Sequence, residues 1–390
     1  MIFRLSRTSG LLLLPLLLPL LLSLACGEPT DGGDDGGGTD GGGGAPAFAV
    51  DRTLSLGSCL NAGAVTVEGG KAYVACGGDF TGNGEVAVVD LATWTIEQHI
   101  AVGGAPGSIT VSGDRIYLGD MLDGRVLVAG TDGSVIHGAA DAVVICPSDF
   151  VNNVFQFVPD VVKIGDVLYA SCFATDEVIA FQPSAGADPG DGTLNATILG
   201  RVTAGDGISA LEPWHANDLV GLENLSGAAS HIGTDPLGAS TNYWTCGDVP
   251  NDLRIEDGLA HVVNSGSNTL QVIDLSAVST TAEVHLGDGA SPWSLALLAD
   301  GRTAVTLQGT DEVAIVDTDP ATPASEAVQQ TVAMPSGAAL EPFTGMTPLA
   351  HPQGIAVTGA DRLVVSLTNF DANFAIAAPG MLVELVESTP

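Results

Sequence analysis

The sequence predicts an all-β chain built as a single β-propeller of six clear four-stranded blades, with room for a seventh. Three observations predict it. A short strand phrase, usually opened by a proline, recurs six times. Each copy is followed by two more short strands rich in β-branched residues, set off by Gly/Asp turns, and most copies close on a fourth, more polar strand. A meander of this kind cannot bury both faces alone, so copies must stack around an axis.

In chain order, residues 1–25 read as a signal peptide. Arg4 and Arg7 form a basic start, and Leu11 to Leu22 form an apolar run broken by Pro15 and Pro19. That run is too short and too proline-broken for a comfortable spanning helix. Ser23-Leu24-Ala25 then leads into Cys26. This resembles a bacterial lipoprotein lipobox, in which the cysteine thiol takes a diacylglyceryl group after cleavage. Ser23 stands where that pattern prefers Leu, and Ser-x-Ala also fits an ordinary signal peptidase cutting at the same bond. Residues 26–46 continue as a Gly/Asp tether with almost nothing to bury. A coil of that length spans roughly 25 Å, enough to hold a domain off a membrane. Lipidation at Cys26 is the expectation, giving an exported protein at the outer membrane or cell surface whose only membrane contact is the anchor.

The propeller then occupies residues 47–390. Its unit starts are Asn61-Ala-Gly-Ala-Val-Thr-Val67, Ala105-Pro-Gly-Ser-Ile-Thr-Val111, Val158-Pro-Asp-Val-Val-Lys-Ile164, Val249-Pro-Asn-Asp-Leu-Arg-Ile255, Ser291-Pro-Trp-Ser-Leu-Ala-Leu297 and His351-Pro-Gln-Gly-Ile-Ala-Val357. Second strands follow, such as Ala72-Tyr-Val-Ala75 and Arg115-Ile-Tyr-Leu118, then third strands such as Glu85-Val-Ala-Val-Val89 and Glu312-Val-Ala-Ile-Val316. The last unit lacks a fourth strand, and residues 48–56 form a spare strand before the first. That strand is expected to complete the last blade and close the ring non-covalently, which abolishes an exposed sheet edge. Between Val158 and Val249 lie residues 206–248, which show no clear strand quartet. They read as a long insertion, with a degenerate seventh blade as the alternative.

The phrases Val86-Ala-Val-Val-Asp-Leu91, Leu270-Gln-Val-Ile-Asp-Leu275 and Val313-Ala-Ile-Val-Asp317, with Pro352-Gln-Gly-Ile-Ala-Val357, resemble the YVTN-type β-propeller repeat family. The resemblance covers most of residues 48–388. It implies the fold, commonly with seven blades. It leaves function open, because the family includes surface-layer, adhesive and lactonase-like members.

In an antiparallel blade the connections into each first strand share a face with the loops between second and third strands. The longest irregular segments, 146–157, 206–248 and 336–350, all read as connections into first strands, which predicts one elaborated face. Cys59 precedes a first strand and Cys76 ends the second strand beside it. Cys146 and Cys172 repeat that relation. Antiparallel pairing therefore predicts the disulfides Cys59–Cys76 and Cys146–Cys172, leaving Cys246 unpaired.

The formal net charge is −35, with only Lys71 and Lys163 as lysines. Such a chain repels a nucleic-acid backbone. Candidate ligand-binding residues on the elaborated face are Glu212, Trp214, His215, Trp293, His351 and Gln353. The tryptophans offer an apolar wall for a sugar or peptide, and His215 with Glu212, or His351, offers acid–base chemistry. Asp79-Phe-Thr-Gly-Asn83-Gly-Glu85 resembles half of a calcium loop, which makes Asp79 and Asn83 the candidate metal ligands and Ca the only candidate cofactor. No P-loop, G-x-S-x-G, H-E-x-x-H or C-x-x-C-H motif is present. The reading is a monomeric binding or scaffolding propeller for a protein, peptide or glycan. The alternative is a lactonase-like hydrolase with a metal-assisted site at the channel mouth.

Overall fold

The computed structural model describes residues 46–140, 143–146, 156–183, 196–341 and 343–388. The signal peptide, Cys26 and the tether lie outside them. The described residues form seven antiparallel sheets, each a blade. Blade 1 holds Ala62–Glu68, Lys71–Cys76, Glu85–Asp90 and Thr95–Ala101. Blade 2 holds Pro106–Ser112, Arg115–Asp120 and Arg125–Gly130, and its outer edge is shared by the short strands Val135–His137 and Val143–Val144. Blade 3 holds Val161–Ile164, Val167–Cys172, Glu177–Pro183 and Ala196–Thr203. Blade 4 holds Ile208–His215, Asp218–Glu223, Ala228–Thr234 and Leu237–Thr245. Blade 5 holds Pro250–Glu256, Leu259–Asn264, Thr269–Asp274 and Ser279–His285, and blade 6 holds Pro292–Leu297, Arg302–Leu307, Glu312–Asp317 and Val328–Ala333. Blade 7 holds Pro352–Gly359, Arg362–Leu367 and Met381–Ser388, with the N-terminal strand Ala47–Ser55 paired outside Met381–Ser388.

Burial explains the sequence pattern. Second and third strands, such as Lys71–Cys76 and Glu85–Asp90, are buried along almost their whole length because a neighbouring blade covers each face. Fourth strands, such as Thr95–Ala101, alternate because they form the rim. Seven apolar clusters fill the seven gaps between blades. One joins Trp244 and Val220 of blade 4 to Ile273 and Val262 of blade 5. Another joins Val74 and Ala87 of blade 1 to Val364 and Leu382 of blade 7, so the last blade packs on the first. First strands of neighbouring blades meet around the whole circuit and wall an axial channel.

Residues 206–248 are thus not an insertion but the alternative, a seventh blade: their strands, from Ile208 to Thr245, form blade 4, and the propeller has seven blades. The repeat was hidden because its first strand, Ile208–His215, carries no proline at its second position and ends in Glu-Pro-Trp-His. The elaborated-face expectation changes with it. The connection into blade 4 is only residues 204–207, while 334–351 and 368–380 are long and lie on the face where first strands begin. On the opposite face, the connection 318–327 is also long, so elaboration is not confined to one end; residues 147–155 of the expected segment 146–157 lie outside the described residues.

Both predicted disulfides are present. Cys59 and Cys76 sit 5.2 Å apart at Cα, Cys146 and Cys172 5.7 Å, and each joins a first-strand entrance to the end of the second strand beside it. Cys246 is free. Burial pushes its thiol up to about 12, which makes it a poor nucleophile.

Candidate functional site

The channel wall is best read position by position. Arg254 pairs across its ladder with His261, the third residue of the second strand. The same relation picks out Thr66, Thr110, Val162, Glu212, Ala296 and Ala356 in the other blades. Two residues earlier stand Ala64, Ser108, Asp160, Ala210, Asp252, Ser294 and Gly354. Charge occurs only in blades 3, 4 and 5, at Asp160, Glu212, Asp252 and Arg254. A cavity of about 340 Å³ sits at this wall, lined by Glu212 and Arg254 on one side and by apolar groups such as Val65, Leu295 and Ile355 on the other.

Asp160 and Asp252 play equivalent structural parts. Asp160 accepts hydrogen bonds from the N–H of Val161 at 2.8 Å and from Leu211 of blade 4 at 2.9 Å. Asp252 accepts from Leu253 at 2.9 Å, from Leu295 of blade 6 at 3.2 Å and from the Ser294 hydroxyl at 2.5 Å. Each carboxyl therefore ties its own first strand to that of the next blade. Arg254 donates from Nη1 to Asp252 Oδ1 at 2.8 Å and to the Leu253 carbonyl at 2.6 Å, and its Nη1 lies 3.7 Å from Glu212 Oε2. Its side chain keeps 39% of its surface accessible, and that surface faces a lumen walled by protein.

Electrostatics follow from this enclosure. Burial pushes the Glu212 carboxyl up to about 7, with Arg254 opposing and Asp252 and Asp160 reinforcing the shift. Burial likewise raises Asp160 to about 6, against the stabilising Leu211 N–H. For Arg254, burial works against the charge, but Asp252, Glu212 and Asp160 outweigh it and hold the guanidinium above its ordinary range. Glu212 is thus a carboxyl that exchanges its proton near neutral pH beside a fixed cation, an arrangement suited to proton transfer or to holding a polar group.

The other candidates are spread more widely than the sequence reading placed them. Trp293, His351 and Gln353 stand at the entrances of the first strands of blades 6 and 7, on the face where the long connections 334–351 and 368–380 fold together through Leu349 N–H to Phe370 O and Gly337 N–H to Asn369 Oδ1. His351 is 6% exposed, and the rings of Phe374 and Phe370 lie 5.1 and 6.3 Å from its own. Trp214 and His215 end the first strand of blade 4, so they lie at the opposite end of the channel wall from those entrances. The expected insertion is a strand here, and it carries them across the blade. There they join His231, Tyr243 and Trp244 in a ring cluster, with Asp218 at 2.9 Å from His231 and 3.5 Å from His215. Asp79 and Asn83 spend side-chain oxygens on their own turn, accepting from Thr81 and from the Asp79 N–H. Among the described residues no three His, Cys, Asp or Glu side chains come together as a metal site.

Sequence reasoning missed Asp252 and Arg254 as members of the site. Their signal was present in Val249-Pro-Asn-Asp-Leu-Arg-Ile255, where opposite charges two residues apart must share one face of the strand.

Comparison with known proteins shows the fold alone. No protein-family model and no curated protein sequence matches the chain. Among solved structures, virginiamycin B lyase from Staphylococcus aureus is similar with a TM-score of 0.61 at 11% identity, over 87% of this chain and 99% of that one. The WD40 β-propeller domain of Doa1 is similar at 0.60 and 10%, over 88% and 98%. A Bacteroides fragilis protein provisionally assigned as a 6-phosphogluconolactonase is similar at 0.52 and 16%, over 69% and 83%. At these identities the likeness establishes a β-propeller and leaves its chemistry to the site residues.

Proposed function

We propose that this chain is an exported, lipid-anchored binding propeller that takes a protein, peptide or glycan ligand at the channel mouth where its first strands begin. The observation that carries this reading is the placing of Trp293, His351 and Gln353 on adjacent blades at the end of the ring that also carries two long connections, 334–351 and 368–380. A rigid ring that presents elaborated loops is a common basis for recognition. The YVTN-like phrases are compatible with a surface-exposed binder. We take strand Ala47–Ser55 as the non-covalent closure of the ring, since it completes the blade whose other strands come from the C-terminus. In this reading the tether from Cys26 enters the propeller at that closure. The test is capture of purified glycans and peptides from arrays by the full chain. Binding should fall at least about tenfold in Trp293→Ala with Gln353→Ala, and capture unchanged by both substitutions overturns the assignment. Intact-mass measurement of protein from its native membrane should show an acyl addition at Cys26, and an unmodified thiol removes the anchor.

Glu212 favours a second reading, a lactonase-like hydrolase. Its carboxyl changes charge near neutral pH in the lumen, beside an arginine able to stabilise developing negative charge. This reading expects turnover of a lactone panel at neutral pH that Glu212→Gln lowers by about a hundredfold or more. A tightly held stoichiometric ion in the purified protein would support its metal-assisted form. Absence of turnover across the panel sinks it.

A further inference from the structure

The end of the second strand carries an amide side chain in both blade 4 and blade 6, and the two behave differently. Asn224 of blade 4 reaches the entrance of blade 5, donating from Nδ2 to the Pro250 carbonyl at 3.0 Å and to Asn251 Oδ1 at 3.2 Å. Gln308 occupies the equivalent place in blade 6 and is 3% exposed, yet its Nε2 is buried with no hydrogen-bond partner. The residue it meets at the entrance of blade 7 is His351. There Nδ1 lies 3.2 Å from the main-chain carbonyl oxygen of Gln308 and must carry the hydrogen, which leaves Nε2 of the neutral ring as an acceptor. That Nε2 is also buried without a partner. Two contacting residues thus bury one unused donor and one unused acceptor, a combination that native interiors rarely leave unmet.

The polarity of the pair selects the chemistry. A cation satisfies the imidazole nitrogen and repels the amide hydrogens. A carboxylate satisfies the amide and cannot donate to the imidazole. A hydroxyl group does both. We propose that His351 and Gln308 form a hydroxyl-binding subsite at the channel mouth, with the oxygen accepting from Gln308 Nε2 and donating to His351 Nε2. The Phe374 ring lies 5.1 Å from the imidazole and tilted only 32° from it, so it forms an apolar wall of the kind a sugar ring packs against. This inference rests on the binding reading above and narrows its ligand to a polyol or glycan. Water supplies the same hydroxyl in the free protein, so the test must separate the two sources.

The experiment follows the His351 Nε2 nitrogen resonance in the full, histidine-labelled chain, with methyl glucopyranoside, glycerol, sodium acetate and tetramethylammonium as probes. The resonance is expected to move with the glucoside or glycerol and to stay fixed with acetate and tetramethylammonium. Gln308→Met, which keeps the side-chain length, should weaken that hydroxyl response by about threefold to tenfold, the loss of one hydrogen bond. A resonance that no polyol moves leaves water as the sole occupant and overturns the ligand subsite. A thermal midpoint that rises in both Gln308→Met and His351→Phe shows two unmet groups with nothing between them, and also overturns it. Array capture of a peptide that is insensitive to Gln308→Met preserves the binding reading while refuting this one. Silence on every array removes the binding reading itself.

Discussion

At two equivalent positions of the first strand, blades 3, 4 and 5 carry Asp160, Glu212, Asp252 and Arg254, whereas blades 6, 7 and 1 carry Ser294, Ala296, Gly354, Ala356, Ala64 and Thr66. The backbone frame is the same on both sides of the channel, so the difference lies in what the next blade offers. A carboxyl at Asp160 or Asp252 finds a backbone N–H of the following first strand within 2.9 to 3.2 Å. At Gly354 the following blade comes closer. A Cβ there would lie 2.6 Å from the Val65 nitrogen and 2.7 Å from the Gly63 carbonyl oxygen, both backbone atoms that cannot step aside. One half of the ring therefore staples its blades with charge and the other closes by contact. The comparison shows how a repeat can concentrate chemistry in one sector while its fold stays uniform.

The largest break in this picture removes the packing under the charged half. Trp244 is fully buried between blades 4 and 5 and donates its indole N–H to the Leu275 carbonyl at 3.2 Å. Trp244→Ala should cost about 3–5 kcal/mol in chemical denaturation. A loss under about 1 kcal/mol would mean that blade 4 is not an integral blade. Next comes Arg254→Met, which leaves Asp252, Glu212 and Asp160 facing one another. A fully buried pair broken this way costs about 3–5 kcal/mol, and water in the lumen should reduce this to about 2–3. Pairing the change with Glu212→Gln should recover part of the loss.

The contact-closed half is probed by Gly354→Ala. Overpacking against rigid backbone should cost about 1–2 kcal/mol, whereas Ser294→Ala, at the same position in blade 6, removes mainly one hydrogen bond to Asp252. Equal effects from the two would erase the distinction between contact and staple. The smallest expected effect is in pH dependence. The folded Glu212 carboxyl titrates near 7 against 4.5 for the ordinary group. Its contribution to stability is therefore fully present below about 4.5 and is lost as pH rises through about 7. Wild type should lose of order 1 kcal/mol relative to Glu212→Gln between pH about 5 and about 8, after allowance for lumen water. The difference between the two profiles isolates Glu212 from His261, which burial lowers to about 4 and which acts in the opposite sense. Parallel profiles would show that Glu212 is ordinarily solvated.

Much of the fold was legible because middle strands covered on both faces must be apolar runs, as in Val74, Ala87 and Val364, and because six units repeat the same phrase. The disulfides were legible because antiparallel pairing alone puts Cys59 beside Cys76 and Cys146 beside Cys172. Blade 4 was not, since Ile208–His215 replaces the usual opening with residues of weaker strand signal, and its burial depends on neighbours distant in sequence. Misreading it displaced Trp214 and His215 to the wrong end of the channel wall. Of the channel site, Glu212 was chosen, but its link to Arg254 crosses between blades, and spacing along one chain does not reveal which blade follows which in space.

By itself, the sequence determined that this protein is a ring of β meanders pinned by two disulfides, because strand period, turn residues and cysteine placement are local properties of the chain. Only the tertiary structure decided that the ring has seven blades and that its charge gathers on one side of the channel. It also decided that Gln308 and His351 meet with a donor and an acceptor unspent. These features depend on the distance between adjacent first strands, which is set by packing between blades and not by any residue's own preference.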